Sequence, residues 1–333
     1  LNGLRLLLVA AAGLLAAACS EDKPAETPAS KGATPIVFAT DWRAQAEQGG
    51  FYQALATGEY ENRGLDVTIL QGGPSVNVPQ LLASGAVQMG MGSNSFIILN
   101  LASEKVPVTA VAAFMQKDPQ VLMAHPGQGI TSLADMKGRP ILLGDASITA
   151  FWVWLKAKYG FTDDQVRKYT FNPGPFLADP RAIQQGYVTS EPYTIEQQGG
   201  FKPEVFLLAD EGYPGYAAMV LAPDSLIASD PAAVRAFVEG SAAGWRSYLN
   251  GDPAPGDALI LKDNPEMTPA LLAQAREKMK TYGIVESGGA EIGAMTDARW
   301  EEFFRMASEQ GVYATDLDFR KAYSLEFLRP AAP

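Results

Sequence analysis

Cysteine and histidine are almost missing from this chain: Cys19 and His125 are the single examples of each in 333 residues. One cysteine cannot form an intrachain disulfide, and one histidine cannot build a multi-histidine metal site. His-assisted nucleophilic catalysis is short of raw material for the same reason. A Walker-type phosphate loop, an HExxH pair and a GxSxG elbow are all absent. Basic runs are missing too, and the net charge is -11, which excludes a phosphate-backbone partner and hence nucleic acid. His125 stands in His125-Pro126-Gly127, a turn sequence. These gaps favour binding over catalysis, with no cofactor and no metal expected.

With 47% hydrophobic residues the chain can bury a substantial core, and its length suggests two domains. Residues 1–18, LNGLRLLLVAAAGLLAAA, set one Arg before a short apolar run ending in small residues, the form of a secretory signal. The ending LLAAAC resembles a bacterial lipobox, with Cys19 as the lipidated first mature residue, although Ala16 stands where that pattern prefers Leu. Residues 19–35 are rich in Pro, Ala, Ser and Thr without apolar periodicity and read as a flexible tether. A folded domain held at a membrane surface is the expectation.

Ile36 to Leu70 organises the rest of the chain. Ile36-Val37-Phe38 is a strand-like run that stops at Asp41-Trp42; Phe51, Tyr52, Leu55, Ala56 and Tyr60 have helical spacing; Gly64 breaks the helix before a strand over Leu65–Leu70. In open α/β sheets ligands sit beyond the carboxyl ends of strands, where this βαβ opening places Asp41 and Trp42. The strand, polar loop, helix unit recurs at Val87–Met91 with Gly92-Ser93-Asn94-Ser95, and at Pro140–Leu143 with Gly144-Asp145-Ala146-Ser147 before a helix over Ile148–Tyr159. Ser93 and Asn94 suit both a helix cap and a ligand contact. Trp152 and Trp154 cannot share one helix face, so one is expected in the core and the other toward the cleft or another helix. Further along, Tyr169–Phe171 reads as a strand, Asp179-Pro180 as the start of a helix ending at Gly186, and Asp230-Pro231 as the start of a long helix to Leu249. Ala270–Tyr282, Asp297–Gln310 and Asp318–Leu328 read as amphipathic helices on the outside of a domain, carrying no chemistry.

DW, then GGFYQAL, GEYENRGLDVTI and GGPSVNVPQLLASG, followed by Phe171–Ala178, Gln184–Tyr193 and Glu204–Gly215, resemble the NMT1/THI5-like branch of the type II periplasmic solute-binding proteins. That resemblance implies an α/β protein of two lobes joined by two crossing segments, with lobe 1 at 36–116 and 216–333 and lobe 2 at 117–215. It implies a monomeric, periplasmic lipoprotein serving an ABC importer permease. The ligand it implies is a thiamine-precursor pyrimidine; an alkyl sulfonate, another small anion or a flavin-like ring are alternatives, and a pyrimidine-precursor synthase on the same fold is the enzyme alternative. That synthase resembles these binding proteins but relies on an active-site His and a Cys-rich iron motif that nothing here matches. The expected ligand contacts are Asp41, Trp42, Phe51, Ser93, Asn94, Ser147, Phe171, Tyr187, Glu191 and Tyr213, with Trp42 as a stacking face and Glu191 as an acceptor brought from the opposite lobe.

Overall fold

A computed structural model describes residues 32–328. The signal-like segment, Cys19 and the tether up to residue 31 lie outside the described residues. The first strand, β1, runs Thr34–Ala39 and so takes in the last two residues of the expected tether. Helix α1 (Gly49–Ala56), β2 (Leu65–Leu70), α2 (Val78–Ala83), β3 (Met89–Asn94), α3 (Ser95–Ser103) and β4 (Val108–Met115) come next. In β2 burial alternates, with Leu65 and Val67 inside and Asp66 and Thr68 exposed, as period-2 geometry requires. Gly64 sits at φ 78°, a left-handed conformation that stops the preceding turn without a Cβ penalty.

The second group is β5 (Gln120–Ala124), β6 (Ile141–Leu143), α4 (Asp145–Ile148), α5 (Phe151–Tyr159), β7 (Val166–Lys168), α6 (Gly174–Ala178), β8 (Ile183–Tyr187), α7 (Glu191–Gly199) and β9 (Glu204–Leu207). The chain then continues through β10 (Ala217–Pro223), α8 (Asp224–Ser229), α9 (Pro231–Asn250), α10 (Ala254–Asp263), α11 (Pro269–Thr281) and α12 (Asp297–Glu309). Two five-stranded sheets result, in the orders β2-β1-β3-β10-β4 and β7-β6-β8-β5-β9. In the first, β10 runs antiparallel between β3 and β4; in the second, β5 runs antiparallel between β8 and β9. Each sheet is the centre of an α/β lobe, and the chain passes between them after β4 and again after β9. Lys117 and Asp210, one on each passage, form an ion pair of 2.6 Å.

Several expected elements differ. The expected helix from Asp179 to Gly186 is instead β8, flanked by β5 and β6 in the sheet's middle, where pairing on both edges overrides the polar Gln184-Gln185 pattern. The strand placed at Tyr169–Phe171 lies three residues earlier, at β7, and Phe171 adopts φ 62°, which no strand residue does. The loop expected at Gly144–Ser147 carries α4, the helix expected over Ile148–Tyr159 begins only at Phe151 as α5, and Asp318–Leu328 forms two short 3-10 turns.

Close backbone approach sets the core of the first lobe. A Cβ on Gly50 would lie 2.1 Å from the Trp245 ring, and one on Gly244 would lie 2.2 Å from the Gly50 carbonyl oxygen, so α1 and α9 meet through bare backbone. The space they define is filled by Phe38, Phe51, Phe114, Phe237 and Trp245, with Phe51 centred 4.8 Å from Phe38 and 5.3 Å from Phe114. Burying each such ring is worth about 2 to 3 kcal/mol.

Candidate ligand-binding cleft

A cavity of about 500 Å³ opens between the lobes, the size of a small-molecule site. Its first wall is the turn after β1. Thr40 donates its N–H to the Leu70 carbonyl at 2.9 Å and its hydroxyl to the Trp42 carbonyl at 2.8 Å, which turns Asp41 and Trp42 into the cavity. Gln48 donates to Asp41 at 3.4 Å. Next along the same wall, Asn94 ends β3 and accepts the Phe96 N–H at 3.0 Å, so it caps α3 while also lining the cavity beside Ser93.

The facing wall comes from the second lobe. At the end of β8, Glu191 opens α7 and accepts from the Tyr187 N–H and the Ser190 hydroxyl, both at 2.7 Å through one carboxylate oxygen. Gln185 accepts the Gly144 N–H at 2.7 Å and fixes the loop that carries Ser147. Phe171 is 50% exposed, and its ring lies 4.9 Å from that of Trp42, so the two lobes meet at an aromatic lip. Thr189 joins the lobes more directly: its hydroxyl donates to Glu47 and its carbonyl accepts from Gln274. The passages between the lobes supply the floor, with Asp118 accepting the Gln120 N–H at 3.0 Å and Tyr213 buried beside Trp154.

Charge is distributed unevenly. Asp41, Glu47, Asp118, Glu191 and, at the rim, Glu266 line the cavity, and among the described residues no Lys, Arg or His does. Arg43, which the sequence places next to Trp42, is held outward by Glu266 at 2.8 Å. Burial raises the Asp41 and Glu191 carboxyls above the usual range, and it pushes Glu47 up to about 7, aided by like charge on Glu191 and Asp41. Asp118 is also raised to about 7 by burial, against the pull of its bond from Gln120 and of Arg299. The Tyr187 phenol, which also lines the cavity, is raised by burial and then by the charge of all four of these carboxyls. Four polar atoms on cavity-lining residues are buried without a hydrogen-bond partner: the amide oxygens of Gln48, Gln120 and Gln184 and the Tyr213 hydroxyl.

Of the expected contacts, Asp41, Trp42, Ser93 and Asn94 line the cavity from the first lobe, Ser147, Phe171, Tyr187 and Glu191 from the second, and Tyr213 from the floor. Phe51 does not line it, because the ring is fully buried in the aromatic core behind α1. Neither Trp152 nor Trp154 reaches the cavity: Trp152 donates to Asp163 at 2.8 Å and Trp154 packs edge-on against Tyr213. His125 is buried, with a ring nitrogen 2.7 Å from the Phe176 carbonyl oxygen and Phe176 and Phe201 against its ring. Glu47, Gln48, Asp118 and Thr189 went unrecognised in the sequence, as did a wall formed by Met267, Leu271, Leu272 and Ala275 around α11. The expectation that the C-terminal helices carry no chemistry is therefore corrected. Among the described residues, no group of three or more His, Cys, Asp or Glu could hold a metal ion.

A family model described as NMT1/THI5 like matches residues 45–254, more than half of the chain. The chain belongs to the NMT1/THI5-like family. It is 24% identical to the riboflavin-binding protein RibY of Chloroflexus aurantiacus over 345 residues, 95% of each chain. It is 26% identical to the formylaminopyrimidine-binding protein of Halalkalibacterium halodurans over 277 residues, 79% of this chain and 81% of the relative. A shorter match, 32% identical over 108 residues, covers 32% of this chain and 30% of the 4-amino-5-hydroxymethyl-2-methylpyrimidine phosphate synthase of Schizosaccharomyces pombe. The crystal structure of the periplasmic aliphatic sulphonate binding protein SsuA from Escherichia coli superposes with a TM-score of 0.66 at 12% identity, covering 89% of this chain and 92% of that one. The fold of this NMT1/THI5-like protein is thus the two-lobed fold of the periplasmic binding proteins. Among the described residues no helix is long and apolar enough to cross a membrane.

Proposed function

We propose that this protein is the solute-binding component of an ABC-type importer and captures a thiamine-precursor pyrimidine, of the hydroxymethylpyrimidine or formylaminopyrimidine type, between its lobes. One observation carries the reading: the cleft combines an aromatic lip, Trp42 and Phe171, with carboxylate and amide acceptors and no lining Lys, Arg or His. A flat ring with an exocyclic amine uses all of these features, stacking on Trp42 and donating to Glu191, whose second oxygen is not engaged by Tyr187 or Ser190. A sulfonate or other anion would face carboxylates in a cavity that no described Lys, Arg or His lines, so the alternative ligands of that type are disfavoured. The cavity volume of about 500 Å³ exceeds what one substituted pyrimidine fills, which favours a flavin-like ring as the second reading. The relative named for riboflavin binding supports that second reading, and the one named for formylaminopyrimidine binding supports the first.

A pyrimidine-forming enzyme is the weaker alternative, since the single His lies outside the cleft. As part of the same proposal, the protein is a monomer anchored in the periplasm through lipidated Cys19 and hands its ligand to a permease. Mass and absorbance analysis of co-purifying small molecules, followed by calorimetry with formylaminopyrimidine, riboflavin and an alkyl sulfonate, tests the assignment. Binding of the sulfonate alone would overturn it. Closure of hinged lobes is tested by small-angle scattering, where saturating ligand should compact the particle.

A further inference from the structure

The cleft asks for something that a neutral pyrimidine supplies only in part. Asp41, Glu47, Asp118 and Glu191 line the same cavity as Tyr187, and among the described residues no Lys, Arg or His lines it; Arg299, outside the lining, offsets Asp118 in part. Independently, the cavity-lining residues Gln48, Gln184 and Tyr213, which are 2%, 0% and 2% exposed, each carry a buried polar atom with no hydrogen-bond partner. A buried polar atom left without a partner costs roughly 1 to 3 kcal/mol; the two amide oxygens want a donor, and the Tyr213 hydroxyl can donate or accept. Two of the helix starts that border the cavity are already used by the chain. Asn94 accepts the Phe96 N–H at the start of α3, and the Glu191 carboxylate stands at the first turn of α7.

Resting on the aminopyrimidine reading, we infer that the cleft selects its ligand by charge: a nitrogen heterocycle bearing a positive charge is taken in preference to its neutral isostere, and a phosphorylated form is rejected. The aromatic part lies at the lip with Trp42 and Phe171, and the cationic part lies toward Tyr187, Glu47 and Asp118. The volume of the cavity suits such a two-part ligand. The cation satisfies the carboxylates by Coulomb attraction, while its N–H or C–H edges meet the amide oxygens. A phosphate ester would bring negative charge to the same ring of acids.

Calorimetry with matched probes decides the matter. The first pair is thiamine, an aminopyrimidine joined to a cationic thiazolium, against its isostere with the thiazolium nitrogen replaced by carbon; thiamine monophosphate is the third compound. Thiamine should bind about tenfold tighter than the neutral isostere, and its monophosphate about tenfold weaker than thiamine. In Glu47→Gln and in Asp118→Asn, two separate variants, the ratio of the affinities for thiamine and for its neutral isostere should fall at least threefold. A preference below threefold, a monophosphate as tight as thiamine, or an unchanged preference in both variants overturns the inference. Hydroxymethylpyrimidine tests the parent reading alone: if it binds and the charged pair shows no preference, charge selection fails and the pyrimidine reading stands. The cation 1-methylnicotinamide against nicotinamide tests charge without a pyrimidine. If that pair shows the preference and no pyrimidine binds, charge selection stands and the pyrimidine reading fails; if nothing binds, both fail.

Discussion

Glu47→Gln offers a clean perturbation of a buried acid. The Glu47 carboxyl is 2% exposed and accepts from Thr189 across the lobe boundary, and burial together with Glu191 and Asp41 raises its pKa from 4.5 to about 7. Between those two values the folded protein binds more protons at this site than the unfolded chain does. Its contribution to stability is therefore full below about pH 4.5 and is lost as the pH rises through about 7. At about 1.4 kcal/mol for each pH unit across that gap, the loss is roughly 3 kcal/mol. Gln keeps the shape, still accepts the Thr189 hydroxyl through its amide oxygen, and cannot ionise. Urea unfolding of both proteins from pH 4.5 to 8 should show the variant gaining on wild type by about that amount as the pH rises. Asp118, Asp41 and Glu191 act on both proteins in the same direction and largely cancel in the difference. Stability curves that run parallel over this range, or a wild type that gains on the variant, would refute the assignment of a buried, raised carboxyl at Glu47.

Trp42→Ala removes a stacking face at the lip and should weaken any flat ligand by about 2 kcal/mol in calorimetry, with the unfolding midpoint little changed. Glu191→Gln should weaken amine-bearing ligands by roughly 1 to 2 kcal/mol and spare rings without an amine; equal loss for both kinds would argue against an amine contact. Gly50→Ala drives a methyl into the Trp245 ring and should cost about 3 kcal/mol in denaturant unfolding, whereas no loss would mean that α1 and α9 can separate easily. Cys19→Ala should abolish acylation, and mass spectrometry finding unmodified Cys19 in membrane-extracted wild type would remove the lipoprotein assignment.

The sequence carried the fold wherever local pattern and burial agree. The β1–α1–β2 opening and β10 each show apolar runs bounded by turn residues, and their strands fall where those runs do. Strand β8 was illegible because its two glutamines face the cleft from a position paired on both edges, a context no local window contains. Trp42 could be found because it stands just past the carboxyl end of a strand, whereas Glu191 was reached through the family resemblance, the strand before it being read as a helix. Glu47 and Asp118 could not, since a carboxylate in a polar loop looks the same whether it faces solvent or is sealed by a second lobe. Phe51 failed for the opposite reason: it sits on the buried face of α1, and helical spacing alone does not say which side of a wall a ring occupies.

The place of β10 in its sheet bears on how this chain is made. β10 runs between β3 and β4 and pairs with both, yet roughly a hundred residues separate the end of β4 at Met115 from its start at Ala217. During vectorial synthesis or export β3 and β4 are finished long before the strand that joins them, and their inner edges stand unpaired in the meantime. The second sheet draws all its strands from residues 120–207 and can close first. Maturation of the first lobe, and with it the wall that carries Asp41 and Trp42, then waits on the last third of the chain. A truncation before Ala217 should leave one competent lobe and one sticky half-sheet, and holding that half-sheet apart from its neighbours is the task that falls to the chaperones of whichever compartment receives it.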